Sequence, residues 1–236
     1  SGSLASRIED SSPTLIVSAD AGSRGGKAVA YKPLLDEAIR LSSHKPSSVL
    51  LVNRGLVPME TTAGRDVDYA ILRQKHMNTV VPCEWVDATH SSYTLYTSGT
   101  TGNPKGVLFE HRSTVLHAMT ALQIGALALE ERSVLLPVVP MFHAASWGLP
   151  WAGALVGAKF VYAQVNDPKV ICDLMQREKV TIAAGVPTVW LGMWQYLDES
   201  GETVGSLKQV ITGGSAPPRY LIERFMKTGV RVQHLW

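Results

Sequence analysis

Two periodicities run along the chain. Short apolar runs that stop at glycine, proline or hydroxyl residues predict strands at residues 14–17, 49–52, 93–96, 134–143, 159–162, 180–183, 208–212 and 230–235. Between them, apolar residues recurring every three or four positions predict helices. Residues 4–10 read as the end of one helix. Residues 32–41 place Pro33 at a first helical position and apolar residues at 34, 35, 38 and 39 on one face. A short helix is expected at 66–76. A long one is expected at 110–129, with Val115, Leu116, Met119, Leu122 and Ala126 as its apolar stripe. Asp167-Pro168 reads as the cap and first position of a helix running to about 178. Gly185-Val-Pro187-Thr188 opens another, with Trp190, Leu191, Trp194 and Leu197 on one face, and residues 218–227 form a last one closed by Gly229. Strand and helix in alternation argue for parallel pairing, so the expected fold class is α/β: a doubly wound, mostly parallel sheet with flanking helices.

One stretch breaks the rhythm with chemistry. Tyr93-Thr-Leu-Tyr-Thr-Ser-Gly-Thr-Thr-Gly-Asn-Pro-Lys-Gly-Val107 is a buried strand that runs into a cluster of hydroxyls and glycines unable to continue it. Thr97, Ser98, Thr100 and Thr101 offer hydroxyl donors, Gly99, Gly102 and Gly106 let backbone N–H groups approach an anion, and Lys105 adds a fixed positive charge. That combination suits phosphate. It differs from the Walker pattern, which needs a Gly-Lys-Ser/Thr triplet opening a helix after four spacers. A second Gly-rich stretch, Gly22-Ser-Arg-Gly-Gly26, sits in an expected loop at 20–27 without a strand-to-helix frame, and a solvated turn explains it equally well.

Composition narrows the choices. With 45% hydrophobic residues the 236-residue chain can build a substantial core. Its 22 basic and 20 acidic residues are mixed along the chain, which gives a net charge of +2 and no concentrated polycation, so nucleic acid is not an expected partner. Cys83 and Cys172 are too far apart for a metal site or disulfide framework and point to a cytoplasmic protein with reduced thiols. No apolar stretch reaches the ~20 residues of an integral membrane segment. Ser1–Ser3 reads as a cloning scar. The scattered acids Asp66, Asp68 and Asp87 are expected to be solvated, and His111, Arg112 and His117 do not have the spacing of a metal set.

The loop closely resembles the phosphate loop of the AMP-forming adenylating enzymes: acyl-CoA synthetases, peptide-synthetase adenylation domains and firefly-type luciferases. The resemblance covers residues 4–236 but changes in kind. Residues 4–106, including Arg7-Ile-Glu-Asp10, Val17-Ser-Ala-Asp-Ala-Gly-Ser-Arg-Gly-Gly26 and Gly64-Arg-Asp-Val-Asp-Tyr69, resemble a propionyl-CoA synthetase. Residues 107–236 resemble a medium- or long-chain fatty acyl-CoA ligase. The chain therefore reads as a mosaic joined at the phosphate loop, and as a central fragment of the large N-terminal domain of an adenylate-forming enzyme.

What the resemblance implies is specific. The cofactors and substrates would be ATP, Mg2+, coenzyme A and a small-molecule carboxylic acid. Thr97, Ser98, Gly99, Thr100, Thr101, Gly102 and Lys105 would hold phosphates, with Thr100 near the metal, and Gly213, Gly214, Ser215 and Ala216 would lie on adenine. His143, at the end of Pro140-Met-Phe-His143, would border the acyl carboxylate and serve with Lys105 as a catalytic group. Trp147 would gate the acyl tunnel, although core packing accounts for such a tryptophan about as well. Gly185, Val186 and Pro187 would line the acyl pocket. In the family a sequence like Gln233-His-Leu-Trp236 continues into Gly-Met-Thr-Glu, whose threonine and glutamate contact AMP and magnesium. The expectation is thus an AMP-forming acyl-CoA ligase acting on a medium- to long-chain fatty acid, present as an incomplete and inactive fragment that lacks the C-terminal catalytic domain. The alternatives are a non-catalytic nucleotide-binding fragment or chimera, and an adenylation domain loading a carrier protein.

Overall fold

A computed structural model describes residues 1–24, 27–96, 105–143, 146–163 and 167–235. The chain divides into two compact units, Ser1–Val86 with Tyr96–Val107, and Asp87–Leu95 with Leu108–Trp236.

The first unit runs α1 (Gly2–Ser11), β1 (Leu15–Ala19), β2 (Ala21–Arg24), β3 (Lys27–Ala30), α2 (Tyr31–Leu41), β4 (Ser48–Val52), β5 (Asp66–Asp68) and α3 (Tyr69–Lys75). Strands β1, β4 and β5 form a parallel three-stranded sheet in which Ile16 stands beside Val49 and Val49 beside Asp66. Ile16, Val49 and Leu51 pack on Ala5 and Ile8 of α1 and on Leu35, Ala38 and Ile39 of α2. The expected loop at 20–27 is instead an antiparallel hairpin, β2 with β3, pairing Ala21 with Ala30 and Arg24 with Lys27. Only Gly25 and Gly26 separate the strands, a connection length that hairpins favour. The expected helix at 66–76 also divides. Its first three residues are β5, and Asp68, in extended conformation, accepts from the N–H groups of Ala70 and Ile71 to cap α3.

In the second unit the five parallel strands lie in the order β12 (Arg231–His234), β11 (Gln209–Thr212), β10 (Ile182–Gly185), β8 (Val134–Pro137), β9 (Lys159–Phe160). Alternate residues face opposite cores. Leu136, Ala183 and Val210 pack with α6 (Pro168–Arg177), α7 (Pro187–Ser200) and α8 (Arg219–Lys227). Leu135, Ala184 and Ile211 pack with α4 (His111–Ala121) and α5 (Leu149–Val156). Both faces are covered, so the sheet is doubly wound as its near-continuous apolar strands require.

Two expectations need correction here. Helix α4 ends at Ala121, well short of 129, and its buried residues are Thr114, Ala118 and Ala121, while Val115, Leu116 and Met119 are exposed. Small side chains are what allow α4 to lie close on α5, so the larger residues point outward. Strand β8 stops at Pro137, not at His143. One further ladder bond, Val138 N–H to Ala184 O at 2.7 Å, carries the pairing on before the chain turns away. The strand expected at 93–96 is β6 (Ser91–Tyr96). It is half-buried and, among the described residues, pairs with β7 (Gly106–Glu110) alone, and the division between the units falls within both strands.

Candidate nucleotide and acyl site

Strand order fixes where a ligand can sit in the second unit. From β8 the chain moves one way to β9, then β10, β11 and β12 lie on the other side of β8, so the winding reverses between β8 and β10. Open parallel sheets bind ligands beyond the carboxyl ends of their strands at such a switch point. Three segments emerge there.

The turn after β8 carries His143. Its N–H donates to Pro140 O at 2.8 Å, and its own carbonyl accepts from Ser146 at 2.9 Å and Trp147 at 2.8 Å. The imidazole is thereby set on a hydrogen-bonded turn. The segment after β11 carries Gly213, which is buried, and Gly214, Ser215 and Ala216, which are exposed. Gly214 has φ +86°, and a Cβ on it would stand 3.3 Å from His143 Cε1 and 3.6 Å from Val186 Cγ1. The segment after β10 supplies Val186, the N-cap of α7, between Gly185 and Pro187. Gly185 is itself obligatory, because a Cβ there would lie 2.7 Å from the Trp190 ring. His143, Val186 and Gly214, far apart in sequence, thus meet at the ends of three neighbouring strands. The absence of a Cβ at Gly214 lets the His143 ring and Val186 come close to its backbone.

Trp147 follows on the same turn, its N–H bonded to the His143 carbonyl, and its ring lies against other aromatics. Its ring centroid is 4.8 Å from His117, 5.1 Å from Phe109 and 6.3 Å from Tyr93. His117 occupies the space a side chain at 148 would need, 2.4 Å from a Cβ built on Gly148. Trp147 and His117 border a cavity of about 190 Å³ whose wall also includes Ala121, Leu127, Ser146 and Leu235. Burial pushes the Tyr93 phenol above its ordinary pKa, against the opposing influence of the Thr114 hydroxyl and the Trp151 and Trp147 indoles that face it. These aromatic neighbours escape sequence reasoning, since residues 93, 109, 117, 147 and 151 share no spacing pattern.

In the first unit, Lys105 is exposed and directly precedes β7. Thr97, Ser98, Gly99, Thr100, Thr101 and Gly102 lie outside the described residues. No group of three or more His, Cys, Asp or Glu side chains able to hold a metal ion occurs among the described residues. Cys83 and Cys172 are free, and burial pushes the Cys172 thiol up to about 11, which leaves it protonated and inert at neutral pH. No helix among the described residues is long and apolar enough to cross a membrane.

A doubly wound parallel sheet, a reversal of winding and a glycine-lined edge at its carboxyl ends define an open α/β class that places its ligand site at that edge. The chain belongs to the AMP-binding enzyme family, whose profile matches residues 1–236. It is 50% identical over 139 residues to the long-chain-fatty-acid–CoA ligase of Thermus thermophilus, covering 58% of this chain and 26% of that protein. Identity to the medium-chain-fatty-acid–CoA ligase of Ectopseudomonas oleovorans is 42% over 202 residues, 85% of this chain and 35% of the relative. Identity to the propionate–CoA ligase of Escherichia coli is 57% over 107 residues, 45% of this chain and 17% of the relative. The chain therefore spans between about a sixth and a third of these relatives' length.

Proposed function

We propose that this chain is the nucleotide- and acyl-binding part of a ligase that uses ATP to activate a carboxylic acid, first to acyl-AMP and then to acyl-CoA. The meeting of His143, Val186 and Gly214 at the switch point carries the reading. In the first step a carboxylate oxygen forms a bond to the α-phosphorus as pyrophosphate leaves. In the second, the thiol sulfur of CoA bonds to the acyl carbon, its proton is lost, and AMP leaves. The chain's own residues supply binding and charge compensation, the main route by which phosphoryl chemistry is accelerated. Lys105 and residues 97–102 would take the phosphates, Thr100 would help to hold Mg2+, which would offset phosphate charge, and Gly213, Gly214, Ser215 and Ala216 would take adenine. His143 orients the carboxylate that the acyl pocket at Gly185, Val186 and Pro187 receives.

The acyl substrate on this reading is a medium- to long-chain fatty acid, because the segment carrying His143 and Trp147 is the one that resembles fatty acyl ligases. A cavity of about 190 Å³ beside Trp147 supports the medium-chain end of that range, being larger than the ~150 Å³ apolar cavity that holds benzene. The mosaic reading draws support from two relatives of different substrate class, one matching 45% of the chain and the other 58%. The chain works in the cytoplasm as part of lipid metabolism.

Two measurements test the proposal. Equilibrium titration of the chain with ATP, repeated on Lys105→Ala, should show binding weakened about tenfold or more by loss of a charge-assisted contact; unchanged binding would remove the phosphate assignment. ATP–pyrophosphate exchange by a complete ligase carrying this segment, run over acids of increasing length, should favour medium and long chains. A preference for propionate would overturn the substrate.

A further inference from the structure

We propose that Tyr93 is a positioning residue that holds Trp147 in place and so sets the length of acyl chain the adjoining cavity accepts. The inference rests on reading that cavity as the acyl pocket. Tyr93 is itself firmly fixed. Its ring stacks on Phe109 at 5.0 Å and 15°, and on Trp151 at 5.3 Å and 20°. Two near-parallel stacking partners leave it little room to rotate. Trp147 then leans on this rigid group, with its ring at 51° to Tyr93 and 41° to Phe109.

Polar atoms give the contact a direction. Trp147 Nε1 and Tyr93 Oη are both buried without a hydrogen-bond partner among the described residues. The Trp147 indole and the Thr114 and Trp151 side chains face the phenol oxygen without meeting full hydrogen-bond geometry. An indole offers only a donor, whereas a phenol oxygen accepts as well as donates, so the two buried groups are complementary in kind. On its other contacts Trp147 borders the cavity together with His117 and Leu127. A volume of about 190 Å³ accommodates roughly six to eight carbons, judged against the ~150 Å³ cavity that holds benzene. Tyr93 touches the Trp147 ring but does not border the cavity, so on this reading it backs the indole against which a longer chain would press. Removing the Tyr93 ring therefore lengthens the pocket, while removing the hydroxyl alone loosens the indole without creating space.

The test is calorimetric titration of the 236-residue chain with octanoate and dodecanoate, in the unsubstituted protein and in Tyr93→Phe, Tyr93→Ala, Trp147→Ala and the Tyr93→Ala/Trp147→Ala double variant. Octanoate should bind the unsubstituted chain more tightly than dodecanoate. In Tyr93→Ala the ratio of the two affinities should shift about tenfold toward dodecanoate, as the added methylenes find apolar cover. Tyr93→Phe keeps the ring as a safeguard for folding. It should shift the ratio about two- to threefold, the effect of losing one weak acceptor, and should change the tryptophan emission spectrum. In the Trp147→Ala background, Tyr93→Ala should leave the ratio nearly unaltered, because residues acting through one another are not additive. A Tyr93→Ala protein that weakens both acids equally, or one whose shift persists undiminished without Trp147, overturns the inference while leaving the pocket assignment intact. Failure of the unsubstituted chain to bind either acid while still binding ATP overturns the pocket assignment, and this inference with it.

Discussion

The two units hold their sheets by different means. In the second, alternate residues of β8, β10 and β11 enter two apolar cores, and Trp190, Met193, Val210 and Ile211 are fully enclosed. In the first, only one face of the sheet has such a core. On the other, Val17, Leu50 and Val67 stand in one row across the strands, with Val17 62% and Val67 37% exposed. What the first unit has in addition is charge. Lys32, only 3% exposed, pairs with Asp36 at 2.5 Å and Asp66 at 2.9 Å, and Arg65 pairs with the same two carboxylates at 2.5 and 2.7 Å. Glu9 of α1 ties itself to the end of α2, accepting from the Ser42 and Ser43 hydroxyls and the Ser43 N–H. Apolar burial is insensitive to pH and strong per residue. Paired charge is conditional on ionisation and on every partner staying present.

The largest effect that separates them is expected at Trp190. Its ring is fully buried, meets Phe225 edge-on at 6.1 Å and fills the space that Gly185 leaves open. Trp190→Ala should cost about 3–5 kcal/mol in urea unfolding, with the loss confined to the transition reported by the second unit. A loss below about 1 kcal/mol would mean that the core relaxes around the cavity and that the contrast drawn here is wrong.

Next comes Asp66. Burial alone would push its carboxyl up, but Arg65, the Thr62 N–H and Lys32 outweigh that and hold it at about 2, below its ordinary 3.8. Glu9 is likewise held at about 2, from 4.5, chiefly by the Ser43 and Ser42 hydroxyls. A carboxyl whose folded pKa is depressed stabilises the fold fully above its unfolded value and ceases to do so as pH falls through the folded one. The first unit should therefore weaken between about pH 4.5 and 2, ahead of the second, whose lowered Glu178 depends on the surface partners Lys159 and Arg177. Asp66→Ala should cost about 3 kcal/mol at pH 7 by leaving the buried Lys32 and its neighbour Arg65 to share the single carboxylate of Asp36, and Lys32→Met with Asp66→Leu should recover most of it. Acid unfolding that begins in the second unit would contradict the comparison.

How much of this could be read from the chain follows the same division. The winding of the second unit is legible because its strands are continuous apolar runs and its helices carry local signals such as Asp167-Pro168, where Asp167 accepts from the Val170 N–H to cap α6. His143 and Gly214 are legible as candidates from their motifs, and the structure brings them together. Charge pairing in the first unit is not legible. Asp66, expected in solvent, has a fully buried side chain, and its partner Lys32, on α2, lies 34 positions away in the chain, whereas Arg65 is its sequence neighbour. The stripe read on α4 fails for a related reason. Periodicity ranks Val115 and Met119 above Ala118 and Ala121, whereas close approach to α5 selects the small residues. The Tyr93 cluster joins five segments and leaves no local trace at all.

The smallest expected effect is also the most direct comparison, because both units contain the same device in different surroundings. Asp68 caps α3 and Asp167 caps α6, each through a carboxylate accepting from backbone N–H groups of the first turn. Replacing either by Ala removes about 1 kcal/mol of helix stabilisation. Helix α6 buries Ile171, Cys172 and Met175, so it forms only with the core, and its lost cap should appear in full in the global unfolding transition. Helix α3 buries no residue. Its lost cap should instead appear as faster hydrogen exchange over residues 69–75, with the global transition nearly unmoved. Equal shifts of the global transition for Asp68→Ala and Asp167→Ala would show that α3 is coupled to its sheet as tightly as α6 is to its own, and that the open face of the first unit costs its helices nothing.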